Sequence, residues 1–153
     1  MISIKEAISK EFWIHCEATE SFLTYIFHIK ILSFKKLNLT EVDEPERIKL
    51  FNSNAPLWLM KLEVINFTKK SISPNNGFNN IILIDQDGFK FHTFLDTYLC
   101  QTSIFGKKIG MSRLYSAKLI PKIRAIGVIT FQLPDDDEAE YCISLKSGSL
   151  YAI

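Results

Sequence analysis

Asp85 and Asp87 stand two apart just before Gly88, and Asp135, Asp136, Asp137, Glu138 and Glu140 form the densest acidic run in the chain. Alternate carboxylates followed by a glycine open calcium loops, because a hard cation takes oxygen ligands and the glycine permits a sharp turn between them. Here the twelfth position from Asp85 is Asp96 rather than a bidentate glutamate, and no helical pattern flanks the run. An Asp-Gly pair between two apolar stretches instead predicts the tight turn of a hairpin. The 135–140 run reads as a solvated turn, since like charges repel and need water. A weak divalent-cation site or an acidic contact for a basic partner is its competing use. No metal site or other cofactor is therefore expected; were a metal bound, Asp85, Asp87, Asp135, Asp136 and Asp137 would be its candidate ligands.

Nucleophilic chemistry has little to start from. His15, His28 and His92 are isolated in the sequence, and Cys16, Cys100 and Cys142 are widely spaced. His15 adjoins Cys16, but neighbours on a strand point to opposite faces. Cys100 and His92 could meet across a hairpin, yet no third group orients them. There is no G-x-S-x-G, no H-E-x-x-H and no phosphate-cradling glycine loop. The chain is not expected to be an enzyme. An odd number of cysteines without a C-x-x-C pair supports neither zinc nor a disulfide framework. Three free thiols in a reducing compartment is the simpler reading, and one disulfide with one free thiol is the alternative for an exported protein.

Residues 97–134 hold Lys107, Lys108, Arg113, Lys118, Lys122 and Arg124 and no acidic residue, with Phe105 and Tyr115 among them. Basic and aromatic side chains together can hold a nucleic-acid strand. The overall formal charge is only +1, and the acidic 135–140 run can neutralise the stretch, so a nucleic-acid partner is not expected. Lys107, Lys108 and Arg113 remain candidates for contact with a protein partner, together with Phe12 and Trp13. Asn38-Leu39-Thr40 and Asn66-Phe67-Thr68 match the glycosylation pattern, which matters only in a eukaryotic secretory setting.

The elements that must carry these residues are mainly strands. Over 153 residues, 47% are hydrophobic and 23% charged, which suits one globular domain and excludes disorder, collagen and coiled coil. No apolar window reaches the length of a membrane span, because Thr24, His28, Lys30 and Ser33 break the richest one. Lys5, Glu6, Lys10 and Glu11 interrupt any secretory leader, and a cytoplasmic setting is expected. Residues 1–20 carry a weak helical spacing at Ile4, Ile8 and Phe12, with Ser3 and Glu6 able to form a capping box, before Phe12-Trp13-Ile14 spoils the stripe.

From residue 22 the period changes to two. Phe27, Ile29 and Ile31 alternate with His28 and Lys30. Residues 57–67 form the clearest strand, with Trp58, Met60, Leu62 and Val64 on one face and Leu57, Leu59, Lys61, Glu63 and Ile65 on the other. Residues 81–84 and 89–91 flank the Asp-Gly turn; 127–133 and 141–145 alternate again. Residues 35–56 read as a connection, with a turn of helix or a strand fragment at 47–51. Together these predict an antiparallel sandwich of six to eight strands.

Three stretches in order carry a resemblance: Trp58-Leu59-Met60-Lys61-Leu62-Glu63-Val64-Ile65-Asn66-Phe67, Ile84-Asp85-Gln86-Asp87-Gly88-Phe89-Lys90-Phe91, and Leu119-Ile120-Pro121 with Gly127-Val128-Ile129-Thr130-Phe131-Gln132-Leu133-Pro134 and Tyr141-Cys142-Ile143. They resemble the long strand ending in asparagine, the D-x-G-aromatic hairpin and the closing strands of the bacterial immunoglobulin-like domains. These are the domains related to the secreted mycobacterial immunoprotective antigen, together with the DUF4352 domains. The resemblance spans about residues 24–150. It implies an immunoglobulin-like sandwich with binding or envelope roles and brings no catalytic residues. Members are usually exported behind a leader, and residues 1–20 have no counterpart in them.

The reading is therefore an all-β, immunoglobulin-like antiparallel sandwich over residues 22–153 with a short N-terminal extension, helix or strand, over residues 1–21. Its expected role is a non-enzymatic binding module with a protein partner; the alternative is a small-molecule or divalent-cation binder using the acidic loops. Trp58, Met60, Leu62, Val64, Ile129, Phe131, Tyr141 and Ile143 should share one core, no disulfide should form, and the extension should pack back on its own domain, the alternative being a contact with a second chain.

Overall fold

Strict apolar–polar alternation forces a strand to bury one face, and two such sheets bury theirs against each other. The computed structural model describes residues 1–36, 56–73, 78–93 and 118–153. Among these, nine strands and one helix follow in the order β1 (Ile2–Ser3), α1 (Ile4–Lys10), β2 (Ile14–Glu20), β3 (Leu23–Lys36), β4 (Leu57–Asn66), β5 (Ile81–Asp85), β6 (Lys90–His92), β7 (Arg124–Gln132), β8 (Tyr141–Leu145) and β9 (Gly148–Ala152). They form a four-stranded sheet, β1-β8-β5-β6, and a five-stranded sheet, β7-β4-β3-β2-β9. Every pairing of these strands is antiparallel.

Met60, Leu62, Val64, Ile129, Phe131, Tyr141 and Ile143 fall in one buried cluster, with Trp58 packed against it, as the alternation predicts. Leu57 and Leu59, placed by alternation on the outward side, are buried too, so this end of β4 is covered on both faces. A bulge between Ile31 and Ser33 shifts the β3–β4 register. Ahead of it the inward residues are Phe27, Ile29 and Ile31; beyond it Phe34 pairs with Met60 and packs on the core. A regular ladder would have sent Phe34 to the other face.

The first twenty residues are wound into both sheets. Ser3 caps α1 by accepting from the Glu6 amide, and Ile4 and Ala7 are buried. Before the helix, β1 pairs with β8 at the edge of one sheet; after it, β2 lies between β3 and β9 in the other. A boundary at residue 21 therefore cuts a hairpin between neighbouring strands, rather than separating an added element from a complete sandwich. Sequence reading drew it there because the β2–β3 turn is Ser21-Phe22, both at positive φ, with neither glycine nor asparagine to announce it.

Asn66, fully buried at the end of β4, donates both amide hydrogens, to the carbonyls of Lys70 and Leu119, and accepts from the Thr68 amide. Thr68 in turn bonds the backbone of Ile26 through its hydroxyl, as acceptor from the amide and donor to the carbonyl. The Asn-x-Thr pattern in this folded chain is thus a structural staple. The second such pattern, at Asn38, and the 47–51 expectation lie outside the described residues.

Candidate functional site

The outer face of the five-stranded sheet carries one row of side chains across all its strands. Register sets Tyr151 of β9 opposite His15 of β2, His15 opposite His28 of β3, His28 opposite Ile65 of β4, and Ile65 opposite Arg124 of β7. Strand alternation explains the placement: Ile14, Cys16, Phe27 and Ile29 point inward, so His15 and His28 must point out.

The two histidines meet. His15 Nδ1 lies 2.9 Å from His28 Nε2, and His15 Nε2 lies 2.9 Å from a Glu17 carboxylate oxygen. A carboxylate only accepts, so the proton on His15 sits on Nε2; neutral His15 then accepts at Nδ1 from His28 Nε2–H. Tyr151 stacks on His15 with ring centroids 4.7 Å apart, and Phe67 tilts against His28 at 4.3 Å. The His28 imidazole is held below its ordinary pKa, first by burial and second by charge on His15.

Beyond the pair, Trp13, His28, Ile65, Arg124 and Ile153 line an open depression of about 310 Å³. The Arg124 guanidinium lies over the Trp13 ring at 5.4 Å, and its Nε is 3.6 Å from Glu63. A Glu–His–His chain can hold and pass a proton, but among the described residues the groups that touch it are rings and a carboxylate. No group of three or more metal-ligating side chains is arranged for a metal among the described residues.

The other candidates separate. Trp13 joins this face, whereas Phe12 packs on the core. The Asp85 carboxylate accepts from the amides of Asp87 and Phe89, which makes it the organiser of its hairpin turn. Asp135 pairs with Lys36 at 3.2 Å, and Asp136 accepts from the Glu138 amide. Asp136 and Asp137 also line a second cavity beside α1. Lys107, Lys108, Arg113 and Cys100 lie outside the described residues. Cys16, whose thiol burial pushes far up, and Cys142 are unjoined free cysteines. The His15–His28 contact was missed by sequence reading. Its signal was symmetry: both residues lie equally far from the Ser21-Phe22 turn, but only recognition of that turn exposes it.

The architecture is that of an antiparallel β-sandwich bearing an aromatic and histidine-rich row on one exposed sheet face. No protein-family model matches the chain, and no curated protein matches it. A solved structure that it resembles is MPT63, a secreted protein from Mycobacterium tuberculosis; identity is 11%, coverage is 91% of this chain and 92% of that one, and the TM-score is 0.52. That likeness shows the sandwich fold, and no family model matches the DUF4352 side of the resemblance. It also corrects the cytoplasmic expectation, which rested on the interrupted leader pattern: the similar protein is a secreted one. Among the described residues no helix is long and apolar enough to cross a membrane.

Proposed function

We propose that this chain is a non-enzymatic binding module that holds a protein partner on the outer face of its five-stranded sheet. The observation that carries the reading is the row from Tyr151 to Arg124, with Trp13 stacked on its end. Trp, Tyr and Arg supply most of the energy in protein interfaces, because they bury large area and keep a polar handle. Tyr151, Ile153, Phe67 and Ile126 add exposed apolar area around the row. A rigid sheet holds these side chains in place before contact, which lowers the entropic cost of association. The secreted character of the similar solved protein supports an exported setting for the module.

The test is a crosslinking pull-down from the native organism with the wild-type chain and with Trp13→Ala, Tyr151→Ala and Arg124→Ala. The expected result is one partner retained by wild type and lost by variants that keep the wild-type melting temperature. A partner retained equally by all three variants would place the contact elsewhere and overturn the assignment.

A further inference from the structure

The second cavity lies where α1, the bulged end of β3, the start of β4 and the acidic turn before β8 converge, and its volume is about 240 Å³. Its aromatic lining is Phe34, Trp58 and Tyr141. The Phe34 and Trp58 rings lie at 31° with centroids 5.1 Å apart, and Tyr141 stands at 79° to Phe34 at 6.2 Å. Phe34 reaches this corner only because the bulge at Ile31–Ser33 turns it to the core side. Bulges serve to re-aim side chains in this way beside functional sites.

Asp136, Asp137 and Glu140 line the same cavity, against a single basic side chain, Lys5, among the described residues. The Tyr141 phenol in the wall is raised above its ordinary pKa by burial first, then by the charges of Asp85, outside the cavity, and Asp136. Among the described residues the Trp58 indole Nε1–H is buried without a hydrogen-bond partner, a donor that an oxygen carried by a ligand beside its charge would satisfy.

We propose that this cavity binds a small organic ammonium ion, held against the aromatic walls with the three carboxylates around its charge. Ring faces attract cations, and a quaternary or alkylated ammonium sheds water readily enough to use them. A bare divalent ion is a poorer match. It needs a shell of converging oxygens, whereas no group of three metal-ligating side chains is gathered for one among the described residues, and one Asp136 oxygen already accepts from the Glu138 amide. The volume is below that of drug-sized pockets and suits a free small molecule. The assignment does not depend on the sheet-face reading.

Calorimetric titration of the full chain with choline tests it. Choline should bind saturably. Its uncharged isostere, with a quaternary carbon in place of nitrogen, should bind at least about tenfold more weakly, the loss of a desolvated cation–π contact. Asp137→Asn and Glu140→Gln, both on the surface and expected to melt as wild type, should each weaken choline about threefold. Phosphatidylcholine vesicles should not sediment the protein. Absence of saturation, equal affinity for the isostere, or a double carboxylate variant that binds choline as wild type does would each overturn the proposal. So would vesicle binding that free choline fails to compete. None of these variants touches the sheet face, so this result and the pull-down are read separately.

Discussion

Replacing Asn66 by alanine removes three hydrogen bonds at once and leaves their partners inside the protein. The lost contacts are those to the Lys70 carbonyl at 3.0 Å, the Leu119 carbonyl at 2.8 Å and the Thr68 amide at 2.8 Å. The site is closed to water, since Asn66 is 0% exposed. At about 1 kcal/mol net per bond, the cost is about 3 kcal/mol before any relaxation. For a domain of this size that lowers the melting temperature by about 6–12 °C. Asn66→Asp is the sharper probe. It keeps the acceptor for Thr68 but sets a carboxylate oxygen against two carbonyl oxygens without a charge partner, so it should cost more than alanine despite being closer in shape. Scanning calorimetry on the three proteins measures both differences. An alanine variant melting within about 2 °C of wild type, or an aspartate variant no worse than alanine, would refute the staple.

Three further outcomes follow from the same geometry. His28 has a folded pKa below its ordinary 6.5, so its contribution to stability is present above that value and is lost as pH falls through the folded pKa, because protonation charges a ring that is partly desolvated and lies beside His15. Urea denaturation from neutral pH to pH about 5 should show this acid-side loss, modest for a part-exposed ring, and His28→Ala should remove it. Gly148→Ala should destabilise the chain by more than about 1 kcal/mol, because φ is +121° and an added Cβ would collide with the Glu17 carbonyl; faster amide exchange in β9 would report it. Removing residues 1–20 deletes β1, α1 and β2 and leaves facing edges of β3 and β9 unpaired; the expected outcome is no cooperative thermal transition by circular dichroism, and a truncated chain with a wild-type melt would contradict the sheet order.

Residues 57–67, 127–133 and 141–145 were readable as strands because one face of each meets the core, and that alternation is written directly in residue type. The Asp85-Gly88 turn was readable because its backbone needs a glycine, at φ +89° here. Three features carried no such mark. The Ser21-Phe22 turn uses positive φ at residues that rarely adopt it, which hid β2 and with it the histidine pair. The bulge in β3 is one extra residue in an apolar run, so Phe34 was assigned no partner. The β9 sequence is short and mainly exposed, so neither Tyr151 nor its stacking on His15 stood out. On the outer sheet face, Trp13 is legible in the sequence as an apolar residue in search of cover, and Arg124 only as one charge in a basic stretch.

The first and last strands of the sandwich are woven together: β1 pairs with β8, and β2 pairs with β9, partners more than a hundred residues apart. Such long-range closure makes folding slow, because the entropy of a large loop is spent before the contacts that repay it form. It also makes folding non-vectorial. A nascent chain emerging from the ribosome can form the β2–β3 hairpin and lay β4 beside it. It can seat neither β1 in its sheet nor a strand on the outer edge of β2 until β8 and β9 have emerged. Until then the histidine row lacks its stacked tyrosine, and the core lacks the strand that closes its first edge. Emergence of β8 and β9 is therefore the event that commits this sandwich to its final form.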